Sequence, residues 1–282
     1  MDFETLSFGQ KIIHKMYHDK RPILSELADK AGVKRRVSEV IGPEFVVPTY
    51  SVFEHEAELD LGNCPREFAL KPTHGSQAGI LVSEKHERLE KQLIPITHPW
   101  GQYYNLHPDD LKANEEFIKI VSREWLNSRY QEESEYCYRS IQPRIIIEKY
   151  IHTSKYGVLS DFRFYTFHGE VKFFRAASGY SNDIPTYAYD QNGKYLQIKA
   201  MHDEVECNPL ALPDLPKEWM TMKEFAEKLS MGIDFIRIDF YLSDGQIYFS
   251  EFTNYPLAGT LKFLPESFDR LVTSYWKHFD YV

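Results

Sequence analysis

Residues 235–253, FIRIDFYLSDGQIYFSEFT, constrain this chain more than any other stretch. Ile236, Ile238, Phe240 and Leu242 alternate with Arg237, Asp239 and Tyr241, a period of two that marks a strand with two unlike faces. Asp244-Gly245 is a turn signal, and residues 247–253 read as the returning strand. If the turn holds three residues, 244–246, Asp239 pairs with Glu251 and Arg237 with Thr253, all on one face. Cβ atoms directly opposed in a hairpin lie about 4.5–5.5 Å apart. Two carboxylates at that distance repel, and a hard divalent cation with oxygen ligands is the usual reason a chain keeps them there. A two-residue Asp-Gly turn is the commoner hairpin, and counted strictly it slips the pairing by one and sends the two acids to opposite faces. The hairpin is then an ordinary surface element with scattered charges.

The remainder of the chain reads as α+β. Helices are expected over 5–20, 23–40, about 108–128, 216–231 and about 266–279, with short strands at 45–47, 68–71, 80–82 and 145–151. Trp100 to Tyr104 read as loop. Residues 161–167 alternate and turn at His168-Gly169-Glu170 into 171–176. Turn signals and prolines over 178–214 suggest a lid or insertion, with short strands at 186–189 and 195–199.

The chain has 282 residues, 43% hydrophobic and 15% aromatic, enough for more than one core. A formal net charge of −9 argues against a protein that tracks nucleic-acid phosphates, although it leaves room for a local basic pocket. Three scattered cysteines in no metal-binding pattern suggest reduced thiols and a cytoplasmic protein. The first residues, MDFETLSFGQK, carry acids where a signal peptide carries bases, and nothing resembles a membrane span.

Several stretches carry candidate chemistry. Lys71 ends a strand before Pro72-Thr73-His74-Gly75-Ser76-Gln77-Ala78-Gly79, a small-residue loop whose glycines permit close backbone approach and whose N–H groups can form an anion nest. No Walker pattern follows it. The segment QPRIIIEKYI ends a buried strand with Glu148-Lys149-Tyr150-Ile151. Asp161, Arg163, Lys172 and Arg175 fall on the polar side of the 161–176 hairpin, where Arg163 and Lys172 can reach a triphosphate. Lys30, Lys34, Arg35 and Arg36 make the second helix basic, either as a solvated face or as one that meets an acidic substrate. For each of these stretches taken alone, an ordinary turn, core strand or solvated face is the plainer explanation.

Their order is more specific. A lysine strand with a glycine loop, a strand ending in Glu-Lys-Tyr-Ile, a mixed-charge hairpin, and a strand pair with Arg-x-Asp and Glu-x-Thr-Asn resemble the ATP-grasp superfamily. They are most similar to its TupA-like group, associated with teichuronopeptide and other surface-polymer biosynthesis. The resemblance implies an ATP-grasp fold, in which two antiparallel-sheet lobes clamp a nucleotide. It divides the chain into an N-terminal substrate-side region (1–62), a small lobe with the phosphate loop (63–150) and a C-terminal lobe with the metal site (151–282).

It also implies roles. Lys71 contacts the α- and β-phosphates, and the loop from His74 through Gly75 and Ser76 to Gly79 folds flexibly over them. Glu148 bonds the adenine amino group, while Lys149, Tyr150 and Ile151 hold the base edge. Asp161 and Lys172 make ribose- or phosphate-side contacts. Asp239 and Glu251 hold one or two Mg²⁺, with Thr253 or Asn254 as third ligand, because Thr253 stands where the superfamily often has Asn. Arg237 faces the transferred phosphoryl group, helped by Arg163 and Lys71.

The implied reaction is ATP-dependent, ADP-producing ligation of a carboxylate to an amine, such as a uronic acid and an amino acid. Two further readings remain: a kinase on the same scaffold, and a nucleotide- or glycan-binding module without catalysis.

Overall fold

The computed structural model describes residues 2–89, 93, 98–131, 133–152, 158–179 and 184–281. The chain forms two compact units. The central unit holds residues 22–34 and 47–150, and the C-terminal unit holds 1–21, 35–46 and 151–282. The first 62 residues contribute to both.

The chain begins with α1 (Phe8–His18), α2 (Ile23–Ala28) and α3 (Val33–Ile41). The single helix expected over 23–40 is broken because Asp29 leaves helical geometry and accepts from the Ala31 N–H at 3.1 Å. In the central unit follow β1 (Thr49–Phe53), β2 (Phe68–Pro72), β3 (Ala78–Val82), β4 (Gln102–Leu106), α4 (Glu115–Asn127) and β5 (Ile145–Lys149). Two expectations fail here. Val46 makes one isolated bridge to Phe249, and the strand expected at 45–47 begins only past Pro48, as β1. Residues expected as loop at Trp100 to Tyr104 run into β4, which pairs in parallel with β3. Part of the connection between them, 90–92 and 94–97, lies outside the described residues.

The sheet order is β1-β5-β2-β3-β4. Phe68, Leu70, Ile80, Val82, Leu106, Ile145 and Ile147 form one face, onto which α4 packs Phe117, Ile118, Val121 and Trp125. Those four recur at the spacing of one helix face. Alternation then puts Lys71, Gly79, Ile146 and Glu148 on the opposite face.

In the C-terminal unit lie β6 (Asp161–Phe167), β7 (Glu170–Ala177), β8 (Tyr187–Asp190), β9 (Tyr195–Leu196), β10 (Lys199–Ala200), α5 (Glu218–Leu229), β11 (Phe235–Ser243), β12 (Gln246–Thr253), β13 (Phe263–Leu264) and α6 (Glu266–Tyr275). Six of these strands build an antiparallel sheet, β12-β11-β6-β7-β8-β9, and β10 pairs with β13. Within the expected insertion, residues 180–183 lie outside the described residues. The last helix stops at Tyr275, and Trp276 leaves it in extended geometry.

One face of this sheet is covered by α5, with Phe164, Phe174 and Trp219 stacked at 5.0–5.4 Å. On the other face, Phe167, Phe235, Phe263 and Trp276 pack around Phe8 of α1. The polar residues of β6 and β11 continue that second face past the aromatic cluster.

The β11–β12 hairpin resolves its two readings in an unforeseen way. Ser243 pairs with Gln246, so the turn holds two residues, Asp244 (φ 50) and Gly245 (φ 78). Both occupy the left-handed region that suits a tight hairpin. The ladder stays in that register through Phe240 and Phe249; then Ser250 is extra, a β-bulge, and Asp239 pairs with Glu251 and Arg237 with Thr253. The commoner turn and the paired acids therefore coexist.

Candidate functional site

In the C-terminal unit the site is a row of charges across four strands. Glu251, Asp239, Arg163 and Arg175 are successive partners on β12, β11, β6 and β7, and directly paired residues share a face. Arg237 binds both oxygens of Asp239: Nη2 donates to Oδ2 at 2.6 Å and Nε to Oδ1 at 2.8 Å. The same Nη2 reaches Glu251 Oε1 at 3.2 Å, and Thr253 Oγ1 donates to that oxygen at 3.4 Å. Arg163 donates to Asp161 Oδ2 at 2.6 Å.

Asp239 is 5% exposed and Asp161 2%. Burial, with Glu251 and Asp161 adding like charge, raises the Asp239 carboxyl above the usual carboxylate range against the pull of Arg237. Arg237 and Arg163 stay charged despite burial because each faces a carboxylate. Asn254 is buried just past the end of β12, one residue beyond Thr253.

Two candidates stand apart from one another. Arg175, 1% exposed, joins the row and binds Asp203, whose Oδ2 also accepts from the Ala200 N–H at 2.7 Å. Among the described residues, Arg175 Nε finds no hydrogen-bond partner. Lys172 does not join the row. It is the extra residue of a bulge between Tyr165 and Thr166, pairs with Glu170, and lies 5.8 Å from the Tyr275 ring.

In the central unit, Lys71 and Glu148 meet on the sheet face opposite α4, Nζ to Oε1 at 2.9 Å. Lys71 crosses Gly79 closely: a Cβ there would stand 3.3 Å from Lys71 Cγ and 3.2 Å from the Tyr103 ring. The second Glu148 oxygen accepts from Lys34 of α3 at 2.7 Å. Burial by itself raises this carboxyl, but Lys71 and Lys34 outweigh it and hold it at about 2. Lys149 is exposed, and its backbone N–H donates to Pro48 O at 2.9 Å. Tyr150 and Ile151, both half-buried, follow β5.

The loop expected to be flexible is tied down over its first half. His74 is buried and its Nε2 donates to the carbonyls of Trp125 (2.9 Å) and Ser128 (3.2 Å). A Cβ on Gly75 would meet the Trp100 ring at 2.4 Å, and the Gly75 carbonyl accepts from Lys30. Half-buried Ser76 and exposed Gln77 (φ 54) form the tip. Lys30 and Lys34 thus act as fasteners, whereas Arg35 of the same run is 87% exposed at its side chain. Sequence patterning marked this stretch as basic without showing which strand and loop it covers.

A profile of the TupA-like ATPgrasp family matches residues 10–277. The chain belongs to the TupA-like ATP-grasp family. No curated protein matches it. Among solved structures it is similar to the ATP-grasp ligase PsnB with its minimal precursor, at 10% identity, over 84% of this chain and 55% of that one, TM-score 0.40. It is similar to D-alanine–D-alanine ligase from Bacillus anthracis at 15% identity, over 82% and 58%, TM-score 0.40. D-cycloserine synthetase DcsG gives 11% identity, over 89% and 70%, TM-score 0.43. The chain spans little more than half the length of the first two.

ATP-grasp membership brings ATP and magnesium into question. Among the described residues, no group of three His, Cys, Asp or Glu side chains is placed to hold a metal. Mg²⁺ commonly uses one or two carboxylates and completes its shell with water and substrate phosphate, so it needs no full protein cage. Opposed Asp239 and Glu251 are hard oxygen donors of this kind. With Asp161 and Asp203 they bring four negative charges against the three of Arg237, Arg163 and Arg175, and a divalent cation suits that balance. Among the described residues, no helix is long and apolar enough to cross a membrane.

Proposed function

We propose that this TupA-like ATP-grasp protein is an ATP-dependent ligase that joins a carboxylate to an amine, with ADP and phosphate as co-products. The observation that carries the reading is Asp239 opposite Glu251, with Arg237 bound to both on a largely buried sheet face. A carboxylate oxygen attacks the γ-phosphorus, and the bond to the ADP oxygen breaks. The amine nitrogen then attacks the acyl carbon, phosphate leaves with the C–O electron pair, and the amine proton passes to solvent. Both partners of the first step are anions, so much of its barrier is charge repulsion.

Asp239 and Glu251, with Thr253 or Asn254 beside them, would hold Mg²⁺, which supplies neutralising charge when bound. Arg237 neutralises the transferred phosphoryl group, Arg163 supports it, and Lys71 takes the α- and β-phosphates. Glu148 takes the adenine amino group, with Lys149, Tyr150 and Ile151 along the base edge, and Asp161 serves the ribose side. His74, Gly75 and Ser76 shape the turn near the phosphates; Lys172, beside Glu170, has the weakest claim. Residues 1–62 serve the substrate side, apart from Lys30 and Lys34, which fasten the loop and strand of the nucleotide side; residues 63–150 serve the nucleotide and 151–282 the metal. The substrate pair we favour is a uronic acid and an amino acid of a surface polymer, joined in the cytoplasm where ATP is at hand.

The test is an ADP-release screen over carboxylate and amine pairs with Mg²⁺ and ATP. Wild type is expected to release ADP only when both partners are present. Asp239→Ala and Glu251→Ala are each expected to reduce release at least a hundredfold, roughly the loss of one strong charge-stabilising interaction. Turnover retained by either variant overturns the assignment.

A further inference from the structure

Glu148 sits between two lysines, and the proposed function uses only one of them. Lys71 has its own task at the phosphates. Lys34 has none assigned, yet it is held at two points. Its ammonium donates to Glu148 Oε2 at 2.7 Å and to the Val47 carbonyl at 2.7 Å. Its side chain is 16% exposed. The chain just before it is anchored as well. The Lys30 N–H donates to Thr73 O at 3.1 Å, its ammonium to Gly75 O, and Asp29 pairs with Arg144 at 2.5 Å. Placing a lysine in such surroundings is costly without a partner that needs it. That partner is the carboxylate at the end of β5.

We infer that Lys34 is a positioning residue for base recognition: it fixes Glu148 as an ionised acceptor, so that the site takes a purine with an amino group at C6 (adenine) above one with a carbonyl there (guanine). The inference rests on the proposed nucleotide role of Glu148. Each carboxylate oxygen accepts one lysine and keeps a further lone pair for a ligand. An ionised carboxylate can only accept hydrogen bonds. Adenine offers an N6 amino donor where guanine has the O6 acceptor. Guanine therefore sets acceptor against acceptor, and a site built for one hydrogen-bond pattern strongly rejects the other. Without Lys34, the buried carboxyl loses one of its two counter-charges. Burial then raises its proton affinity, and once protonated it can donate to O6. Lys34 and Lys71 are the charged groups acting on Glu148. On the other side of β5, β1 carries no acid or base except the Tyr50 phenol.

The test measures binding of Mg·ADP and Mg·GDP by calorimetry to wild type, Lys34→Gln, Lys34→Met and Lys34→Arg, with thermal unfolding recorded for each. Wild type is expected to favour ADP over GDP with little change between about pH 5 and 8. Lys34→Gln and Lys34→Met are expected to lose roughly tenfold to a hundredfold in ADP affinity while GDP changes little. The ADP:GDP ratio should fall further as pH drops, and Lys34→Arg should restore most of it. Because the ratio is taken within one protein, partial unfolding scales both affinities and leaves it unchanged. A ratio that survives in Lys34→Gln and Lys34→Met at low pH overturns the inference, as does equal loss of ADP and GDP. Failure of wild type to bind either nucleotide overturns the nucleotide reading itself, before any variant is compared.

Discussion

His74 shows how one side chain can be read correctly as part of a loop and incorrectly as part of its moving tip. The resemblance placed His74 in a loop that folds flexibly over the phosphates, whereas the ring is 1% exposed and donates to two carbonyls at the end of α4. Burial outweighs those bonds and pushes its pKa down to about 4. Folding therefore favours the neutral ring. Its contribution is complete above the unfolded value near 6.5 and is lost as pH falls towards about 4, up to roughly 3 kcal/mol. Urea unfolding over that window should show stability falling with acid, and His74→Phe should flatten the fall while costing about 1–3 kcal/mol at neutral pH for the lost hydrogen bonds. An equally steep acid fall in His74→Phe would assign the effect to another group. Asp239 is the contrasting case: its alternation with Ile238 and Phe240 was plain in the sequence, and its face followed from that alternation alone.

Among elements, the β11–β12 hairpin was legible in its strands, its turn and its opposed acids, but not in how these fit together. Turn chemistry favoured two residues and the acid pair favoured three. The extra Ser250 satisfies both, and no local propensity marks a bulge in advance. Removing Ser250 restores an unbroken ladder from the same turn and still sets Asp239 against Glu251. Deletion of Ser250 is therefore expected to keep Mg²⁺-dependent ADP release within about tenfold of wild type. A loss as complete as that of Asp239→Ala would show that the bulge itself aims Glu251. Amphipathic α4 and α5 were also readable, because their apolar residues recur at helical spacing. The break between α2 and α3 is marked in the sequence only by Asp29 and Gly32, set among residues that suit a helix. β4 was hidden because polar Gln102 shares the inward face with Tyr104 and Leu106 while aromatic Tyr103 faces outward, which blurs an alternation plain in the burial.

For the whole molecule, the α+β class and the ATP-grasp family were legible from the order of motifs, while the path of the chain was not. Each compact unit is assembled from separated segments, and sequence patterning has no signal for which distant segment completes which core. The central unit takes Leu24 and Leu27 of α2 as buried residues, and its strands and loops gain the Asp29–Arg144, Lys30–Gly75 and Lys34–Glu148 contacts. A fragment of residues 22–150 is therefore expected to unfold cooperatively in urea. A fragment of residues 47–150 should be destabilised by several kcal/mol, on the order of two buried leucines lost. Equal midpoints and slopes for the two would show that the first segment is dispensable. The Asp244-Gly245 tip has a different standing from all of this. It lies at the far end of its hairpin from the charges, and the irregular rung at Ser250 separates the two ends. A fluorophore or short epitope spliced there would report on the protein without disturbing its chemistry, and natural variation in hairpin length has the same licence.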